Sequence, residues 1–148
     1  VASSPSTPRL SADEDLGQPW ALWRLGSPRL RVEEILAQAD YLYESGETEK
    51  LYQLLIQYKE SEDGELLWRL ARASRDIAQL SKTSEEEKKV LVYEALDYAK
   101  RALEKKESSS AAHKWYAICI SDVGDYEGIK VKIANAYVIK EHFEVFSV

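Results

Sequence analysis

The chain has 148 residues, 45% hydrophobic and 31% charged, which suits one soluble helical domain with a real core and leaves little room for two. Beyond residue 31 it carries 16 basic against 23 acidic residues, a net charge of −7, so it is a poor general binder of nucleic acid or anionic membrane. The lone Cys119 excludes an intrachain disulfide and suits a reducing, cytoplasmic setting, and no apolar run approaches the roughly 20 residues of a membrane span or a signal-peptide core.

Residues 1–30 are rich in Ser and Pro and hold all four prolines, which predicts a disordered tail. Within it, PWALWRL at 19–25 gathers Trp20, Leu22, Trp23 and Leu25. Such a cluster is costly to expose, so the segment either docks on the domain or remains a sticky patch. The domain is expected over 31–148.

Six helices follow. Val32 to Ser45 places Val32, Ile35, Leu36, Ala39, Leu42 and Tyr43 on one face, and Gly46 ends it. Glu47 to Lys59 repeats the spacing with Leu51, Leu54, Leu55 and Tyr58. Asp63 caps a third helix bearing Leu66, Leu67, Leu70, Ala71, Ile77 and Leu80. Ser84 with Glu87 predicts a capping box for the fourth, with Leu91, Ala95, Tyr98, Ala99 and Ala102 inward. Ser109 or Ser110 opens the fifth, Gly124 is expected to break it, and Asp125 to open the sixth.

The helices pair into a degenerate repeat. Ile35, Leu67 and Trp115 take a large first-helix position, and Ala39, Ala71 and Cys119 a small one four residues later. The first two units lie 32 residues apart, near the 34-residue tetratricopeptide period, and an insertion around SKTSEEEKK spaces the second and third by 48. The expected fold is therefore all-α, a right-handed superhelical stack of tetratricopeptide-like antiparallel hairpins, with a plain antiparallel bundle as the competing architecture.

Catalysis finds no constellation. His113 and His142 are 29 residues apart and lack a metal-ligand spacing. Cys119 sits at a packing position and reads as structural. Phosphate loop, GxSxG and HExxH are all missing, and the DxGD at Asp122 to Asp125 lacks the later carboxylates of a calcium loop. No enzyme, cofactor or metal is expected.

A groove is the better candidate. Stacked first helices line a concave wall, and the positions beside the packed ones predict partner-binding residues Tyr43, Trp68, Arg72, Arg75, His113 and Tyr116. Arg69, Arg72 and Arg75 climb one side of their helix. Guanidiniums beside aromatic rings suit a carboxylate, a phosphate or an acidic peptide. Pairing with Glu65 and Asp76 on a solvated face is the plainer alternative. The basic clusters Lys100, Arg101, Lys105, Lys106 and Lys130, Lys132, Lys140 read first as solvated helix surface.

Three segments carry a family resemblance: ADYLYESGETEKLYQLL (39–55), LLWRLARASRDIAQL (66–80) and HKWYAICISDVGDYEGIKVKIANAYVIKEHFE (113–144). Together they resemble the regulator of microtubule dynamics proteins, over about residues 32–144. The resemblance implies a helical repeat that associates with microtubules or tubulin, including the spindle and spindle pole. It also links the chain to mitochondria, and the alternative function is a module for phosphate headgroups or linear motifs at mitochondrial membrane contacts. In the family the last helix runs on past KEHFE, so the ending VFSV implies a shortened C-terminus.

Overall fold

A computed structural model describes residues 28–144, with side-chain surroundings from residue 31 onward. The N-terminal tail, its PWALWRL segment and the VFSV ending lie outside the described residues. Among those described there are six α-helices and no strand. They are α1 (Pro28–Glu44), α2 (Thr48–Ile56), α3 (Gly64–Ala78), α4 (Glu85–Lys105), α5 (Ser110–Glu127) and α6 (Ile129–Glu144). Two compact units divide between Gln38 and Ala39, within α1. The first is described only by α1 up to Gln38, and the second carries everything from Ala39 on.

Local chemistry explains most helix ends. The first helix begins at Pro28, earlier than the expected Val32, because a proline fits the first helical position, where its missing N–H costs nothing. It stops at Gly46, whose φ of +75° is the left-handed conformation glycine adopts freely. Gly46 N–H donates to Tyr43 O and Glu47 N–H to Leu42 O, which together make a Schellman cap. The Asp63 carboxylate accepts from the N–H groups of Glu65 and Leu66, Ser84 and Glu87 close a reciprocal capping box, and Ser109 accepts from Ala112.

One boundary differs from expectation. Gly124 does not break α5, which runs on to Glu127 and ends at Gly128, φ +99°. Gly124 is instead buried inside the helix: a Cβ there would stand 3.2 Å from Cγ of Lys132, so it lets α6 approach closely. The opening of α6 moves accordingly from Asp125 to Ile129.

Within the second unit, consecutive helices from α2 to α6 pack on one another, and α3 also meets α5. That makes α3 the centre. Ten of its 15 residues are buried, including Leu66, Leu67, Leu70, Ala71, Ala73 and Ala78. Each leucine so removed from water contributes about 1.5–3 kcal/mol before entropy is counted. The small positions Ala39, Ala71 and Cys119 are all at most 1% exposed. Of the large ones, Leu67 is fully buried, whereas Trp115 is half-buried with the Lys114 ammonium 5.4 Å from its ring centroid. In contrast α6 buries no side chain, and Ile129, Ile133 and Tyr137 stand 56–74% exposed. No helix among the described residues is long and apolar enough to cross a membrane.

Candidate functional site

Burial on three sides of α3 changes the expected wall. Trp68 and Arg72, predicted as open groove residues, are each only 8% exposed. The reason is that α2, α4 and α5 all pack on α3, which leaves no broad solvent face. Arg72 lies flat against Tyr43, its guanidinium carbon 3.4 Å from that ring's centroid and 5.1 Å from that of Trp68. Its Nε and Nη2 are buried and have no hydrogen-bond partner. Burial lowers its pKa; Tyr43 is the main opposing influence, Arg69 adds to the lowering, and Asp40 and Asp76 pull upward more weakly. A desolvated guanidinium stacked on aromatics gains about 2 kcal/mol from the rings, yet two orphan N–H groups remain costly. Tyr43, which covers the guanidinium, is itself 42% exposed.

Arg69, one turn earlier, has its charge fully used. Its Nε and Nη2 donate to the two carboxylate oxygens of Asp40 at 2.8 and 3.1 Å, and Nη1 donates to Glu65 Oε1 at 2.9 Å. Burial lowers its pKa, but the two carboxylates outweigh that and hold it above the ordinary value. The Glu65 pairing expected for Arg69 is thus present, joined by Asp40. Glu65 also accepts from Trp68 Nε1 at 3.0 Å and lies 3.2 Å from Lys106 Nζ. Although burial pushes its carboxyl up, these donors bring it below the usual carboxylate range. Glu65 is the residue that sequence reasoning undervalued, and its i, i+3 and i, i+4 spacing to Trp68 and Arg69 was the available signal.

Arg75 points to α5 and donates to Asp122 from Nε at 2.5 Å. Asp76 pairs with neither arginine through a hydrogen bond among those described; burial raises its carboxyl, with Arg72 and Arg75 pulling it back. His113 and Tyr116 gather elsewhere, around His142 at the end of α6. The two histidines put Nδ1 against Nδ1 at 2.7 Å, and Tyr116 meets the His142 ring edge-on at 4.8 Å. His113 Nε2 also lies 2.7 Å from the Glu107 carbonyl. The six candidates therefore separate into a Tyr43–Trp68–Arg72 cluster, the Arg75–Asp122 pair, and a His113–Tyr116–His142 cluster.

Burial, with Asp122 nearby, pushes the Cys119 thiol up to about 12, so it stays protonated and unreactive at neutral pH. The basic cluster on α4 is occupied with holding neighbours. Arg101 donates to the carbonyls of Lys59 and Ser61, and Lys105 and Lys106 pair with Glu62 and Glu65. No group of three or more His, Cys, Asp or Glu is placed to hold a metal among the described residues.

A profile of the family described as Regulator of microtubule dynamics protein 1-3 matches residues 35–145. The chain belongs to that family. It is 99% identical over 114 residues to regulator of microtubule dynamics protein 1 of Mus musculus, covering 77% of this chain and 37% of that protein. The Pongo abelii protein of the same name is 88% identical over 114 residues, 77% of this chain and 36% of the relative. Regulator of microtubule dynamics protein 3 of Rattus norvegicus is 34% identical over 148 residues, 97% of this chain and 29% of the relative. The chain thus spans about a third of the length of the curated relatives it matches. The Arg72 and His113–His142 clusters both fall inside the matched family segment.

Proposed function

We propose that this chain is a non-enzymatic interaction module of tetratricopeptide-like hairpins that associates with microtubules. Support for the repeat comes from the buried small residues Ala39, Ala71 and Cys119 at matching helix positions and from packing of consecutive helices. Membership of a family whose name refers to microtubule dynamics supports microtubules as the partner.

The single observation behind the proposed contact is Arg72, a buried guanidinium with two unsatisfied donors between Tyr43 and Trp68. A carboxylate answers both donors at once, because the guanidinium fork matches it in a bidentate pair. The acidic tails of tubulin offer such carboxylates. For one to reach Nε and Nη2, Tyr43 rotates off the guanidinium and then covers the bound side chain. Arg75, His113 and Tyr116 make secondary contacts in this reading. The chain's net charge of −6 opposes an acidic polymer at long range, so binding is weak and rests on short-range pairing.

Co-sedimentation with polymerised tubulin across a salt series tests this. Pelleting at low salt, lost as salt rises and lost with tubulin stripped of its acidic tails, is the expected pattern. Tyr43→Ala, which removes the ring that would cover the bound carboxylate, is expected to weaken pelleting at least severalfold. An absence of pelleting at low salt rejects the module, and pelleting indifferent to the tails rejects the Arg72 contact.

A further inference from the structure

His113 stands near the start of α5 and His142 in the last turn of α6. Their Nδ1 atoms converge at 2.7 Å, with ring centroids 4.9 Å apart and planes inclined by 37°. Hydrogen-bond logic fixes the protons. His113 Nε2 lies 2.7 Å from the Glu107 carbonyl, which can only accept, so Nε2 donates. Nδ1 of the neutral His113 ring is then bare, and it accepts from Nδ1–H of His142. A backbone carbonyl holding the far N–H is also the arrangement that orients a metal-ligating histidine and makes its other nitrogen more basic.

We propose that His113 and His142 form a two-nitrogen clip for a divalent transition metal, with zinc the best-fitting ion, which fastens the end of α6 to the start of α5. The metal replaces the proton now lying between the two Nδ1 atoms, and that proton moves to Nε2 of His142, so neutral rings bind without net proton release. The nitrogens part by about 0.6 Å, from 2.7 Å to the roughly 3.3 Å subtended by two Zn–N bonds of about 2.0–2.1 Å at a tetrahedral angle. No side chain of α6 is fully buried and His142 is half-buried, so a shift of that size falls on a partly exposed helix. Imidazole nitrogen selects zinc and its transition-metal neighbours over magnesium and calcium, which demand oxygen ligands.

Packing favours ligation, since Tyr116 meets the His142 ring edge-on at 78° and limits its rotation. The remaining coordination positions go to water, since no third described ligand joins the pair. The clip is therefore an open site, weaker than a closed four-ligand one.

Zinc titrated into the intact chain, followed through histidine ring nitrogen resonances and amide exchange in α6, tests the clip. Both Nδ1 resonances are expected to shift together and saturate at one ion per chain, while α6 exchange slows. Magnesium at the same concentration leaves the resonances in place. His113→Gln and His142→Gln are each expected to lose the saturating shift; should either variant misfold, the wild-type resonances still decide. A response from one ring only, unchanged α6 exchange, or equal zinc uptake by the double variant would overturn the proposal.

Discussion

Gly64 and Lys106 meet so closely that a Cβ on the glycine would lie 2.9 Å from Cβ of the lysine and 3.2 Å from the Ala102 carbonyl. The start of α3 and the end of α4 thus touch backbone to backbone, with the Glu62–Lys105 and Glu65–Lys106 pairs on either side. Neither close atom is the tip of a flexible side chain, so an added methyl forces the helices apart. Gly64→Ala is expected to destabilise by about 1–3 kcal/mol despite alanine's better helix propensity. Urea denaturation measures it, and an unchanged midpoint would mean the helices separate without cost.

Ser74 is fully buried in α3, and its hydroxyl has no partner. Removing an orphan buried polar group recovers its desolvation cost, and alanine is the better helix former. Ser74→Ala is therefore expected to stabilise by about 1 kcal/mol, against the usual direction of core substitutions. A lowered denaturation midpoint would indicate that the hydroxyl does find a partner in solution.

Arg75 and Asp122 tie α3 to α5 with side chains 26% and 20% exposed. At Arg75 burial acts downward on the pKa and the Asp122 hydrogen bond and charge reverse it, so the pair favours the charged arginine. Between an exposed and a fully buried pair, a coupling of about 1–2 kcal/mol is expected from a double-mutant cycle of Arg75→Met and Asp122→Asn. Additive single effects would mean that the pair contributes no coupling to this joint.

The legible parts of the fold were those fixed by near neighbours in sequence. Asp63, Ser84 with Glu87, and Ser109 cap their helices because a side-chain oxygen reaches an N–H two or three residues on. The small positions Ala39, Ala71 and Cys119 were likewise readable from spacing alone. Gly124 and Gly128 were not separable, since only contact with Lys132 and Asn135 on α6 decides which glycine stays helical. Burial of Trp68 and Arg72 depends on how many helices surround α3, a tertiary quantity that one helix's pattern does not encode. Equally, the 29-residue gap between His113 and His142 concealed their meeting, because it is closed by the return of α6 along α5.

That meeting also makes α6 sensitive to acid. His142 titrates in the fold below its ordinary 6.5, chiefly through burial and then through the charge of His113. The unfolded or undocked ring therefore binds protons more readily, and docking is favoured at pH above 6.5 and weakened as pH falls through that value toward the depressed one. Glu141 is the opposing charge that moderates the effect. Since α6 buries no side chain that would hold it by burial alone, its amide protection is expected to drop as pH falls below about 6.5 while that of α3 stays level. His142→Gln, which cannot titrate, should flatten the profile. Protection in α6 that ignores pH, or that falls equally in the glutamine variant, would place the hold on α6 somewhere other than this histidine pair.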